Sequence, residues 1–97
     1  MELTPQQVFD RLTAVQIVDV RETEELADGI IPGAWHIPLG ELPGSHGLLD
    51  AARPIIAVCR SGRRSASAAE QLAAAGFTAH TMTGGMIEWK AAGLPTT

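Results

Sequence analysis

The chain reads as an α/β protein, a small parallel sheet covered by helices on both faces. Three observations predict this. Short aliphatic runs alternate with helix-like segments across short connections, the pattern of a parallel sheet. The run Ile55-Ile56-Ala57-Val58 is continuously apolar and bounded by Pro54, as expected of a strand buried on both faces. Residues 63–75 form the clearest helix, alanine-rich and stopped by Gly76.

The elements follow in order. Thr4, Pro5 and Gln7 mark a helix start: Thr4 caps, Pro5 suits the first helical position, and Gln7 completes a capping box. Val8, Phe9 and Leu12 give that helix one apolar face. Residues 15–20 are a β-branched strand, ending in Asp19-Val20-Arg21. Residues 22–27 predict a short helix with a solvated acidic start, stopped by Asp28-Gly29. Residues 30–34 are a turn and residues 34–37 a brief strand closed by Pro38. Gly40, Pro43, Gly44 and Gly47 make residues 39–53 a loop-rich crossover, with one short helix expected around residues 48–52. The helix at 63–75 is expected to pack through Ala66, Ala69, Leu72 and Ala73. Residues 78–82 predict a further strand, Gly84-Gly85 a sharp turn, and residues 86–92 a last helix ended by Gly93-Leu94-Pro95.

Ninety-seven residues are expected to form one compact domain, and 45% hydrophobic residues suffice for its core. The net charge of -4 argues against nucleic acid, which calls for clustered cations over a broad surface. One cysteine makes no internal disulfide and demands no oxidising compartment. The first residues carry neither a basic n-region nor an apolar h-region, and no stretch approaches a membrane span, so a cytoplasmic protein without membrane contact is expected. His36, His46 and His80 lack metal-ligand spacing, and no metal or cofactor is expected. Trp35 and Trp89 read as core or edge packing.

The chemistry gathers at Cys59. The text Cys59-Arg60-Ser61-Gly62-Arg63-Arg64-Ser65 joins the clearest strand to the clearest helix. Ligands of α/β sheets bind beyond the carboxyl ends of strands. A loop turning into a helix aims backbone N–H groups at the space above the sulfur, and Gly62 gives it the freedom to turn. That field favours a thiolate. Three of the seven basic residues, Arg60, Arg63 and Arg64, fall within five positions. Cations at a helix start oppose its dipole, so they serve something else, and a small anionic ligand is expected. A buried structural cysteine would not require this loop.

These residues resemble the active-site loop of the rhodanese family of sulfurtransferases. Asp19-Val20-Arg21-Glu22, followed by Gly29-Ile30-Ile31-Pro32-Gly33-Ala34 and Ile37-Pro38, is similar to the family's upstream signature. Gly84-Gly85-Met86, Trp89 and Gly93-Leu94-Pro95 resemble its C-terminal one. The resemblance implies a five-stranded parallel sheet and sulfane-sulfur transfer through a persulfide on Cys59. The donor would be thiosulfate or a similar small anion, and the acceptor cyanide, another thiophile or a partner protein's thiol. Arg60 and Arg64 would bind the donor, and the backbone of residues 60–65 would hold the persulfide, with Ser61, Gly62, Arg63 and Ser65 completing the substrate-binding loop. Asp19 and Arg21 would brace the fold as an ion pair. The family commonly has His where this chain has Ile30. Two rival readings stand beside it: a persulfide carrier or interaction module serving a partner, and a cysteine-based phosphatase or arsenate reductase. The last uses a longer loop between Cys and Arg than the four residues here, with His in place of Val58.

Overall fold

The computed structural model describes residues 2–97. Five parallel strands form one sheet in the order β1-β5-β4-β2-β3. They are β1 (Glu2–Leu3), β2 (Gln16–Asp19), β3 (Trp35–His36), β4 (Ile55–Val58) and β5 (Ala79–Met82). β1 is an addition to the strands expected from the pattern. Two residues are too few to show a period, and their pairing with Thr81 and Met82 comes from across the chain.

Four α-helices cover the sheet: α1 (Pro5–Phe9), α2 (Leu42–Ser45), α3 (Arg63–Ala74) and α4 (Gly85–Ala91). Thr4 and Gln7 form the reciprocal capping box at α1. That helix ends at Phe9, short of Leu12. The segment after β2 is a 3-10 helix over Thr23–Asp28. In the crossover, helical turns run over Leu39–Glu41, Leu42–Ser45 and His46–Leu48, and residues 48–52 are not the helix expected there. Pro43 does not prevent this, because it lies in the first turn of α2, where a missing N–H costs nothing.

Alternation along β4 sorts the core into two layers. Ile56 and Val58 face a cluster with Val8, Ile17, Met82, Met86 and Trp89, under α1 and α4. Ile55, Ala57 and Cys59 face the other, with Val18, Leu42, Ala68 and Leu72, under α2 and α3. Ile55, Ile56 and Val58 are wholly buried, each contributing about 1.5–3 kcal/mol of transfer free energy. Trp89 is also wholly buried, its indole N–H donating to the Pro95 carbonyl at 2.9 Å. Trp35, on the edge strand, is 46% exposed.

α3 packs through Ser65, Ala68, Ala69 and Leu72, so Ala66 and Ala73 lie outside the contact. The stripe is turned by the burial of Ser65, a polar residue that apolar periodicity passes over. Gly76 at φ +99° ends the helix, and the Phe77 N–H returns to the Leu72 carbonyl at 3.0 Å.

Candidate active site

Cys59 extends the β4 alternation by one step, so its side chain points toward α3 rather than α4. The chain then turns through Gly62, at φ +102°, into the first residue of α3. This brings two amides onto the sulfur: the Gly62 N–H donates to Sγ at 3.0 Å and the Ser65 N–H at 3.3 Å. The Ser65 hydroxyl lies 3.5 Å from Sγ. Cys59 is fully buried, so the space above the sulfur where the sequence places a ligand is closed in this structure. The loop folds over the sulfur instead of opening around it.

Burial is the largest influence on the Cys59 thiol and opposes its ionisation. The Ser65 hydroxyl and the N–H groups of Ser65, Gly62 and Ser61 together outweigh burial, and the pKa falls below the ordinary thiol value. These hydrogen bonds favour the ionised form of the sulfur against the cost of burying it.

The arginines divide. Arg64 is tied to Glu25 by two parallel hydrogen bonds, 2.6 and 2.7 Å. Glu25 is therefore not the freely solvated acid expected at a helix start. The Arg64 hydrogen bonds are the chief reason its carboxyl falls from 4.5 to about 2. Arg60 and Arg63 are exposed and, among the described residues, have no ion-pair partner. Arg60 lines a cleft of about 110 Å³ with Arg21, Asp28, Met86, Ile87 and Lys90. Ser61, Gly62 and Arg63 line a groove of about 340 Å³ on the other side, with Thr81 and Gly84.

Asp19 and Arg21 form a buried ion pair at 2.7 Å, 1% and 2% exposed. Arg21 also donates to the carbonyls of Glu25, at 3.1 Å, and Gly29, at 2.8 Å. The end of β2 is thus bound to the helical turn that carries Glu25, and through Glu25 to Arg64. His36 meets the Arg21 carbonyl through Nε2 at 2.8 Å. Ile30, where the family commonly has His, pairs its backbone with Thr97.

α4 grips the loop from behind. The Met86 N–H donates to the Cys59 carbonyl at 2.9 Å and the Ile87 N–H to the Arg60 carbonyl at 3.1 Å. Gly85, at φ +59°, allows this approach, because a Cβ there would overlap the Cys59 oxygen and the Arg60 carbonyl. In sequence Gly84-Gly85 shows only a turn, and the structure adds its contact with the loop. No sequence signal marks Glu25 as the partner of Arg64.

Among the described residues no group of three or more His, Cys, Asp or Glu side chains is placed to hold a metal ion, and no helix is long and apolar enough to cross a membrane. A family model described as the rhodanese-like domain matches residues 4–92. A protein named putative sulfurtransferase YtwF, from Bacillus subtilis, is 40% identical over 74 residues, 76% of this chain and 72% of that one. A thiosulfate sulfurtransferase GlpE from Shewanella oneidensis is 35% identical over 77 residues, 78% of this chain and 76% of that one. Among solved structures, a rhodanese-related protein from Thermoplasma volcanium matches with a TM-score of 0.94 at 29% identity, over 99% of this chain and 96% of that one.

Proposed function

The chain belongs to the rhodanese-like family of sulfurtransferases, and from that premise we propose that it moves a sulfane sulfur from a small anionic donor such as thiosulfate to cyanide or a thiol, through a persulfide on Cys59. The observation that carries this reading is the environment of Sγ: amides of Gly62 and Ser65 at 3.0 and 3.3 Å, beyond the carboxyl end of the central strand.

In the first half-reaction the Cys59 thiolate attacks the outer sulfur of thiosulfate. A sulfur–sulfur bond forms to Sγ, the bond inside thiosulfate breaks, and sulfite leaves with the electron pair. In the second, the acceptor attacks the outer sulfur of the persulfide, and the Cys59 thiolate leaves with the pair. The loop amides stabilise the anionic sulfur at each stage. Arg60, exposed beside the cleft, receives the donor's negative charge. Since Cys59 is wholly buried, entry of the donor requires the loop around it to move.

The phosphatase reading is disfavoured by the same geometry. A tetrahedral oxyanion calls for an arginine turned to the sulfur's ligand, and Arg64 is held by Glu25. Initial rates with thiosulfate and cyanide test the proposal. Two alternating half-reactions give parallel double-reciprocal lines, and Cys59→Ser removes all turnover. Converging lines, or Cys59-dependent hydrolysis of p-nitrophenyl phosphate in place of sulfur transfer, would refute it.

A further inference from the structure

Behind the sulfur lies a second buried hydroxyl that none of this chemistry uses. Thr81, on β5, pairs in register with Ala57 on β4 and Glu2 on β1, so it shares the sheet face of Ala57 and Cys59. Its Oγ1 is 2.6 Å from the Ser65 Oγ, and Thr81 is 8% exposed. Ser65 is wholly buried and in turn meets both Sγ, at 3.5 Å, and the Gly62 carbonyl, at 3.2 Å.

One set of directions makes all three contacts of the Ser65 hydroxyl at once. Ser65 has one hydroxyl hydrogen and two lone pairs. With the thiol neutral, that hydrogen goes to the Gly62 carbonyl, and the Ser65 oxygen accepts from Sγ–H and from Thr81 O–H. When the sulfur ionises it turns from donor to acceptor, and the Ser65 hydrogen swings to it. The Gly62 carbonyl still receives the Ala66 N–H, at 3.3 Å. The Ser65 oxygen remains satisfied because Thr81 still donates to it.

We propose that Thr81 is a positioning residue for Cys59, its hydroxyl holding Ser65 so that the Ser65 hydrogen is free to turn onto the ionised sulfur. Its consequence for turnover rests on Cys59 being the nucleophile; its effect on ionisation does not. The charged groups facing this network are Arg64 with its partner Glu25, Arg63, Glu2 and Glu70, with His80 adjacent in the strand. Every variant below retains all of them.

The test is the ultraviolet absorbance of the thiolate followed against pH, with Cys59→Ser as the blank. It is made on the wild type and on Thr81→Val, Thr81→Ala and Thr81→Ser. Thr81→Val keeps the shape and removes the hydroxyl; Thr81→Ala does so without a methyl pair to accommodate, should the valine fail to fold. The thiolate fraction at a fixed pH below the midpoint is expected to fall about three- to tenfold in both, the loss of one hydrogen bond's net worth. Thr81→Ser is expected to restore it. A folded Thr81→Val or Thr81→Ala that titrates like the wild type overturns the proposal, as does a Thr81→Ser that titrates like the valine variant. Because the measurement needs no donor or acceptor, it stands apart from any failure of sulfur transfer.

Discussion

Arg64 and Glu25 meet through two parallel hydrogen bonds, guanidinium to carboxylate, at 2.6 and 2.7 Å. The pair fastens the helical turn after β2 to the first turn of α3. It explains how two arginines are tolerated at a helix start: the charge of Arg64 is answered by a carboxylate from another element. It also leaves Arg60 as the loop cation available to a donor on the cleft side.

Replacing Arg60 therefore separates donors by charge. Arg60→Ala is expected to raise the KM for thiosulfate about tenfold, the worth of one charge-assisted hydrogen bond at an exposed site. The KM for a neutral persulfide donor should change little. Equal losses on both donors would mean that Arg60 shapes the loop.

The Glu25–Arg64 pair has a pH signature. The Glu25 carboxyl is depressed, so its contribution is complete above the ordinary 4.5 and is lost as pH falls toward about 2. The two side chains are 27% and 35% exposed, and solvent screening holds the contribution to about 0.5–1 kcal/mol. Denaturant midpoints of wild type and Glu25→Gln should differ at pH 7 and converge near pH 2. A gap that persists unchanged in acid would contradict the assignment.

The Asp19–Arg21 pair has higher stakes, being almost wholly buried. Arg21→Met leaves a buried carboxylate without its cation and should cost about 3–5 kcal/mol in urea unfolding. Adding Asp19→Asn should recover part of that. A single variant within about 1 kcal/mol of wild type would show that water, not Arg21, satisfies Asp19.

Gly85 is expected to be the least replaceable glycine near the loop. Gly85→Ala places a methyl group against the Cys59 and Arg60 carbonyls and a side chain at φ +59°. It should lose sulfur transfer and at least about 1–2 kcal/mol of stability. Gly76→Ala, with open space around its Cβ position, should lose only the backbone part and keep activity. Equal behaviour of the two variants would remove the case for a close approach.

The strands that sequence reveals are those whose burial is complete. Ile55–Val58 is legible because both faces are apolar, and Gln16–Asp19 because β-branched residues surround it. β1 was not, since two residues carry no period and their partner lies some eighty positions away. The crossover is not legible because Pro43 and three glycines look like loop residues, while the helical turns there are short enough to accept them. At the site, Cys59 and its loop were legible from composition and position. Glu25 was not: an acid beside other acids looks solvated until the fold brings Arg64 to it. Thr81 was hidden likewise, because a threonine in a strand is ordinary and its partner Ser65 lies on another element.

The central claim is that Cys59 carries a transferable sulfur. Intact-mass spectrometry after exposure to thiosulfate tests it most directly. One added sulfur atom is expected on the wild-type chain, absent from Cys59→Ala and removed by cyanide. A wild-type mass that stays unchanged, or an added sulfur that persists in Cys59→Ala, would contradict it.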